Sequence, residues 1–362
     1  MLIPVKQQSF RPDSTWPSKA GVTRLEQTAA ILETGAARRS APVAAVPFIE
    51  PTSSSHTAPV STFKSLIETT KPRITRLVTI TSFVGFVMAA VGHTWTLGQL
   101  ALAAAGCIVG TALSAAGANS INQFMERDRD ALMPRTMKRP LPQHRVTPGA
   151  VLFTGVALAT AGCLLLWLVN GAIPALVSLA CVVSYVVVYT PMKTRTALAT
   201  FVGAIPGALP PLIGWTAATS TVGYAALLEP GAVSLFTLMF VWQIPHFLAI
   251  AWMYRDDYAK GGYLVLPVID PKGGVTAATI ALWTAALIPA TILPAIVMPE
   301  RLGSPYLCVA AVSAAVFVVL AARLVFMRGR AQARQVFFAS IIHLPLILMM
   351  MVAETLVRTL AG

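Results

Sequence analysis

From about residue 77 onward the chain alternates long apolar runs with short polar interruptions. Runs long enough to cross a bilayer as helices extend from about Leu77 to Gly92, Leu97 to Phe124, Gly149 to Val169, Ala172 to Tyr189, Ala197 to Ala218, Val233 to Trp252, Gly274 to Met298, Pro305 to Phe326 and Val336 to Val357. The pattern predicts an all-α polytopic membrane protein with about nine transmembrane helices. It changes before the first run. Residues 1–62 are rich in Ser, Thr, Pro and Ala and lack an apolar leader core, so they are expected to be a disordered cytoplasmic tail in front of a transmembrane domain over 63–362. A mitochondrial transit peptide is the competing reading, favoured by Arg38, Arg39 and several serines and opposed by Asp13, Glu26, Glu33 and Glu50.

Composition agrees with the pattern: 56% of residues are hydrophobic and 11% charged, which excludes an ordinary soluble domain. Charge then orients the chain. One set of loops carries Arg127, Arg129, Arg135, Lys138, Arg139 and Arg145, then Lys193 and Arg195, then Arg255, Lys260 and Lys272, then Arg328, Arg330 and Arg334, while the alternate loops are almost uncharged. The positive-inside rule puts the basic loops and the N terminus on the cytoplasmic or matrix side and the C terminus opposite. The net charge of +13 reflects this asymmetry and contact with anionic headgroups of the lipid bilayer. Nucleic acid is not an expected partner, because no compact basic domain exists to bind it. Cys107, Cys163, Cys181 and Cys308 stand singly in apolar runs and form neither a disulfide framework nor a CxxC motif. Gly106 with Gly110, and Gly203 with Gly207, predict close helix packing, and Pro206, Pro210 and Pro211 predict a kinked fifth span.

The candidate chemistry lies at two boundaries. In the run Asn119 to Asp130, the residues Asn122, Glu126 and Asp130 recur at i, i+4 and i+8, one helical turn or roughly 5–6 Å apart on one face, with Asn119 beside them. Two carboxylates and an amide oxygen are hard ligands of the kind Mg²⁺ takes, and Mg²⁺ usually completes its shell with water and phosphate oxygens. Asp128 points off that face and suits an ordinary surface ion pair. The loop that follows, Met133 to Pro142, offers Arg135, Lys138 and Arg139 to diphosphate oxygens, a role that overlaps with their topological one. At the second boundary, His246, Ile250, Tyr254 and Asp257 share a face if the sixth helix runs on past Tyr254. Lys260 then falls one turn beyond Asp256, just before Gly261 and Gly262 end the helix. Asp257 could hold a second Mg²⁺ or a water of the first, with Arg255 or Lys260 meeting phosphate. A proton-relay transporter could use the same residue types.

Several phrases carry a resemblance: Lys71-Pro-Arg73 before the first span, Asn122 to Pro142, Tyr189 onward through Lys193 to Trp215, Trp242-Gln-Ile-Pro-His246-Phe, Tyr254-Arg-Asp-Asp-Tyr-Ala-Lys260, and Ser340-Ile-Ile-His343 in the last span. Over about residues 64–358 the chain resembles the UbiA superfamily of intramembrane prenyltransferases, and within it the haem-modifying branch. The resemblance implies nine helices around a central cavity open to lipid, with two acidic motifs capping it and Mg²⁺ bridging them to a prenyl diphosphate. For this branch it implies transfer of farnesyl from farnesyl diphosphate to a vinyl group of haem B, with addition of water, to give haem O. Asn122, Glu126 and Asp130 match the first motif as metal ligands. Asp257, Tyr254, Tyr258 and Lys260 match the second, which holds fewer carboxylates than in quinone-pathway members. His246 and His343 are candidates to touch haem, although a buried histidine is more often a packed, hydrogen-bonded helix residue. A bacterial inner membrane, with haem A synthase or terminal oxidase assembly downstream, completes the expectation.

Two other classes remain open on sequence. An aromatic prenyltransferase would use a second motif richer in aspartate. A transporter or oxidase assembly factor would show polar residues at the midplane or lost motif residues, whereas here the polar residues gather at one boundary.

Overall fold

The computed structural model describes residues 61–219 and 221–361. The tail expected over 1–62 therefore lies, except for its last two residues, outside the described residues. Among these there is no strand, and nine helical stretches are long and apolar enough to span a bilayer. A short helix α1 (Thr62–Thr69) precedes α2 (Pro72–Ala90), α3 (Leu97–Asp130), α4 (Pro148–Asn170) and α5 (Ala172–Met192). The fifth span is a pair, α6 (Ala199–Ala208) and α7 (Pro210–Ala218). After α8 (Pro230–Met253) comes the short α9 (Arg255–Lys260), then α10 (Gly274–Val297), α11 (Ser304–Met327) and α12 (Arg330–Ala361).

Hydrocarbon offers the backbone no hydrogen-bond partners, so each span satisfies its amides internally. Sequence sets the starts. Thr96 and Gln99 form a reciprocal capping box ahead of α3, and Thr147 caps α4 with Pro148 in the first turn. The first span begins at Pro72, five residues before the hydropathy pattern predicts, because Arg73, Thr75 and Arg76 in its opening turns interrupt the apolar run. Helix α3 has 34 residues. At 1.5 Å per residue it is about 51 Å long, against about 30 Å of hydrocarbon, so a stretch of several turns must leave the apolar core. Asn122 to Asp130 lie in that stretch.

Helices α3 and α4 pack closely along a shared seam that runs from Gly106 beside Asn170 to Gly117 beside Gly155. A Cβ at Gly117 would strike the backbone of Gly155 and Ala159, and one at Gly162 would strike the backbone at Ser114, so this seam requires residues without side chains. The ring continues through α5, α6, α8, α10, α11 and α12, and α12 returns to α2. Helix α7 sits inside, packed on α2, α5 and α8, with every residue buried. The prolines break the fifth span at Leu209, as the sequence predicts. Pro210 has no N–H for the Pro206 carbonyl, and the Cys181 thiol donates to that oxygen instead at 3.1 Å. Outward-facing side chains are large and apolar, including Phe153, Leu168, Leu282 and Val312, as a lipid-facing surface requires.

One expectation is overturned. The sixth helix does not run on past Tyr254: that residue steps out of helical geometry (φ −113°, ψ 28°) and α9 begins after it. Asp256 and Asp257 occupy the first turn of α9, where carboxylates favour a helix start. Asp257 is thus not stacked on the His246–Ile250 face.

Candidate functional site

The far end of α3 carries the polar stripe inward. Asn122, Glu126 and Asp130 are 0%, 7% and 1% exposed, a burial that carboxylates tolerate only when paired. Each meets a cation from a different segment. Lys71 Nζ donates to Asn122 Oδ1 at 2.6 Å, Lys193 Nζ to Glu126 Oε1 at 2.8 Å, and Arg139 Nη1 to Asp130 Oδ2 at 2.6 Å.

Local structure aims these cations. Lys71 is left-handed (φ 49°) at the joint between α1 and α2, and α1 is held on α3 by Thr69 Oγ1 against Ser120 Oγ at 3.1 Å and by Gln123 Nε2 donating to Thr69 O at 3.0 Å. Arg145 clamps the outer face of α1 with two bonds to Glu68, at 2.7 and 3.0 Å. Arg139 lies on the tightly turned loop after α3, where Thr136 Oγ1 donates to Asp130 O at 3.0 Å. Lys193 follows a π-helical stretch, Ser184–Tyr189, that re-aims the end of α5, and its carbonyl accepts from Leu264 N at 2.8 Å.

These side chains enclose a cavity of about 90 Å³, lined also by Met133, Arg135, Thr136, Tyr185, Tyr258 and Tyr263. That is room for on the order of three waters, the scale of a phosphate group and far below a whole isoprenoid or tetrapyrrole. Four cationic side chains, Lys71, Arg135, Arg139 and Lys193, face two carboxylates, so the lining is anion-seeking. Burial, with Arg139 close by, pulls the Lys71 ammonium down to about 7. Burial also opposes charge on Lys193, but the Glu126 carboxylate outweighs it and holds Lys193 well above the ordinary lysine value. Burial pushes the Tyr263 hydroxyl up.

The donor set fits a hard divalent cation. Asp130 Oδ1 is buried and has no hydrogen-bond partner among the described residues, an acceptor left over beside Asn122 and Glu126. No group of three or more His, Cys, Asp or Glu side chains gathers among the described residues, so any such site rests on two carboxylates, an amide oxygen and ligands from outside the protein.

Other predicted residues lie elsewhere. Asn119 is buried one turn below the cavity, donating to Thr75 Oγ1 at 3.2 Å. Arg73 and Lys138 are exposed and off the lining. Tyr254 reaches the site only through the Arg135 guanidinium, 5.1 Å above its ring, and Arg135 also covers Tyr258 at 5.5 Å. Asp257 and Lys260 lie outside the cavity, and Arg255 lines a different one. His246 stacks between Trp242 (4.6 Å) and Phe337 (5.4 Å), with Nδ1 2.7 Å from Ser340 Oγ. His343 is buried near Thr291, its Nε2 3.3 Å from the hydroxyl. Neither histidine lines the cavity. Sequence reasoning missed Tyr185 and Tyr189, although Tyr185, Tyr189 and Lys193 recur every four residues; Tyr189 carries the Lys193 ammonium at 4.4 Å from its ring.

A profile of the UbiA prenyltransferase family matches residues 78–342. A protoheme IX farnesyltransferase of Solibacter usitatus (strain Ellin6076) is 40% identical over 298 residues, 80% of this chain and 98% of that protein. Another, of Anaeromyxobacter sp. (strain Fw109-5), is 40% identical over 286 residues, 78% and 91% of the two chains. Among solved structures, a digeranylgeranylglyceryl phosphate synthase superposes with a TM-score of 0.66 at 16% identity, over 82% of this chain and 99% of that one. A UbiA homolog from Archaeoglobus fulgidus bound to DMAPP and Mg²⁺ gives 0.57 at 15% identity, over 82% and 100%. At these identities the structural likenesses bear on the fold alone.

Proposed function

This chain belongs to the UbiA prenyltransferase family, and from that premise we propose that it transfers the farnesyl group of farnesyl diphosphate to a vinyl group of haem B, forming haem O and releasing diphosphate. The observation that carries the reading is the net-cationic cavity over the buried stripe at the end of α3, in a chain two-fifths identical to proteins named for this transfer. Asn122, Glu126 and Asp130 would hold Mg²⁺, which when bound offsets the negative charge of the diphosphate.

The chain's own residues supply the rest. Arg139 and Lys193, with Lys71 and Arg135, offer N–H donors to diphosphate oxygens, and donors fixed in advance stabilise the charge that grows as the farnesyl C1–O bond breaks. The bond's electron pair leaves with the diphosphate. The allylic cation is captured by the vinyl carbon, and water adds to the neighbouring carbon with loss of a proton. Tyr185 lines the cavity and would offer its aromatic ring to a passing cation, as Tyr189 already does to Lys193. The apolar span interior keeps premature water from the allylic cation. No buried base is required, because the vinyl group is already electron-rich.

The second motif, on α9, would cover the bound diphosphate: Tyr258 lines the cavity, and Asp257 and Lys260, outside it, would join only then. The basic loops would place the site on the cytoplasmic face of a bacterial inner membrane, and a haem-modifying oxidase pathway would consume the product. The test is to incubate purified protein with haem B, farnesyl diphosphate and Mg²⁺ and to resolve haem O by chromatography and mass. Chelator-sensitive haem O formation is expected; prenylation of 4-hydroxybenzoate in its place would overturn the acceptor assignment.

A further inference from the structure

A second cavity, of about 170 Å³, opens at the same end of the molecule and is lined by Trp252, Arg255, Asp256, Lys272, Arg328 and Arg330, with Met253 and Pro271. The two cavities flank one short helix: Tyr258 of α9 faces the first, and Arg255 and Asp256 face the second. The prenyl-transfer site makes no use of these basic residues. They converge from the start of α9, the loop before α10, and the turn joining α11 to α12 with the first residue of α12. That turn is drawn tight by Arg328, which is left-handed (φ 43°) and donates through Nε to the Val325 carbonyl at 3.2 Å.

Charge there is unbalanced. Four basic side chains face one carboxylate, Asp256, whose approach to Arg255 is a loose 3.8 Å. Arg255 Nη1 is spent on the Pro271 carbonyl at 3.2 Å, while Lys272 and Arg330 form no ion pair among the described residues. The surroundings are apolar and outward-facing. Phe326 and Met327, immediately before Arg328, are 86% and 58% exposed, and Val275 at the start of α10 is 61% exposed. Trp252, an amphipathic ring of the kind that settles at headgroup level, forms the inner wall. A basic cavity at the ends of spanning helices with an apolar ledge beside it matches a ligand with an anionic phosphate head and acyl chains.

We propose that this cavity is a binding site for the headgroup phosphate of an anionic phospholipid, with Lys272, Arg328 and Arg330 on the phosphate and Phe326 and Met327 against the acyl chains. Free phosphate shares the head chemistry but leaves the apolar ledge uncovered, so the lipid is the occupant the surface fits.

The experiment is native mass spectrometry of the purified full chain with added phosphatidylglycerol, phosphatidylcholine or inorganic phosphate. Phosphatidylglycerol is expected to be retained over phosphatidylcholine by on the order of tenfold. The triple variant Lys272→Ala, Arg328→Ala, Arg330→Ala should fall to the phosphatidylcholine level, while Arg334→Ala, an exposed arginine off the cavity, should keep the preference. Lys272 is exposed, so Lys272→Gln provides a variant without a folding risk and should weaken retention by about fivefold. Equal retention of the two lipids, full retention by Lys272→Gln and the triple variant, or displacement of phosphatidylglycerol by equimolar inorganic phosphate would overturn the proposal. Haem O formation is not read, so the outcome is independent of the assigned reaction.

Discussion

The two acidic motifs look alike in sequence and differ in the structure. In the first, on α3, the stripe Asn122, Glu126 and Asp130 is buried, and each of the three is met by a cation from another segment. The second runs from Tyr254, which leaves helical geometry, onto the six-residue helix Arg255–Lys260 with no buried residue, and its Asp257 lies outside the cavity. A carboxylate on an extended, docked helix end is preorganised; one on a short exposed helix is free to arrive later. The difference teaches that spacing alone marks a candidate ligand, while burial and pairing say whether it stands ready before substrate binds.

The sharpest way to break that contrast is Asp130→Asn. The amide keeps the shape and an acceptor for Arg139 but removes the charge and the spare carboxylate oxygen. Haem O turnover should fall by about a thousandfold, equivalent to ~4 kcal/mol, with the protein still folded by size exclusion and thermal melt. Normal Mg²⁺-dependent turnover in this variant would sink the assignment of the first motif as the metal site.

Next in size is the Glu126–Lys193 pair, at 2.8 Å with side chains 8% and 17% exposed. Lys193→Met strands a buried carboxylate and should cost about 3 kcal/mol of stability and about a hundredfold in turnover. The double variant Glu126→Gln, Lys193→Met should regain most of the stability and none of the turnover. If stability fails to recover in a thermal or denaturant melt, the pair is not the coupled unit its geometry indicates.

Much of this was legible in the sequence. The apolar runs gave the spans, because a bilayer permits few alternatives to a helix, and the i, i+4, i+8 stripe on α3 survived because a long uninterrupted helix keeps its register. The misses came where that register is broken. Tyr254 leaves the helix, so extrapolating the His246 face to Asp257 fails. The π-helical turn before Thr190 shifts which side chains of α5 face the cavity, so the Tyr185–Tyr189–Lys193 series went unread. Helix α1 was hidden by brevity: its eight residues hold no spanning run, yet they dock on α3 and aim Lys71. The histidines were legible as residue types and not as neighbours: His246 is stacked on Trp242 and bonded to Ser340, and His343 meets Thr291 through Nε2, both away from the cavity.

Asp257→Asn gives the cleanest contrast between readiness and late arrival. It makes no ion pair among the described residues, so the variant should melt within about 0.5 kcal/mol of the parent. If α9 covers the bound diphosphate, turnover should still drop by about tenfold. Loss of stability comparable to Lys193→Met would show that the second motif is built into the resting fold after all.

The smallest effect concerns the tie between the two regions. Arg129 reaches from α3 to the α9 side, donating through Nη1 to Gly261 O at 2.9 Å, with its guanidinium 5.9 Å from the Tyr263 ring. A charged donor to a carbonyl is worth about 1.5–3 kcal/mol when well shielded, and Arg129 is half-buried, so about 1 kcal/mol is expected from its loss. Arg129→Gln removes the tie and leaves the cavity lining unchanged. If Arg129 holds the second motif near the first, KM for farnesyl diphosphate should rise about fivefold while kcat changes less, because the cover must then be positioned with substrate binding energy. A fall in kcat at constant KM would instead place Arg129 at the reacting diphosphate, and the two motifs would then meet through the substrate with no protein strut between them.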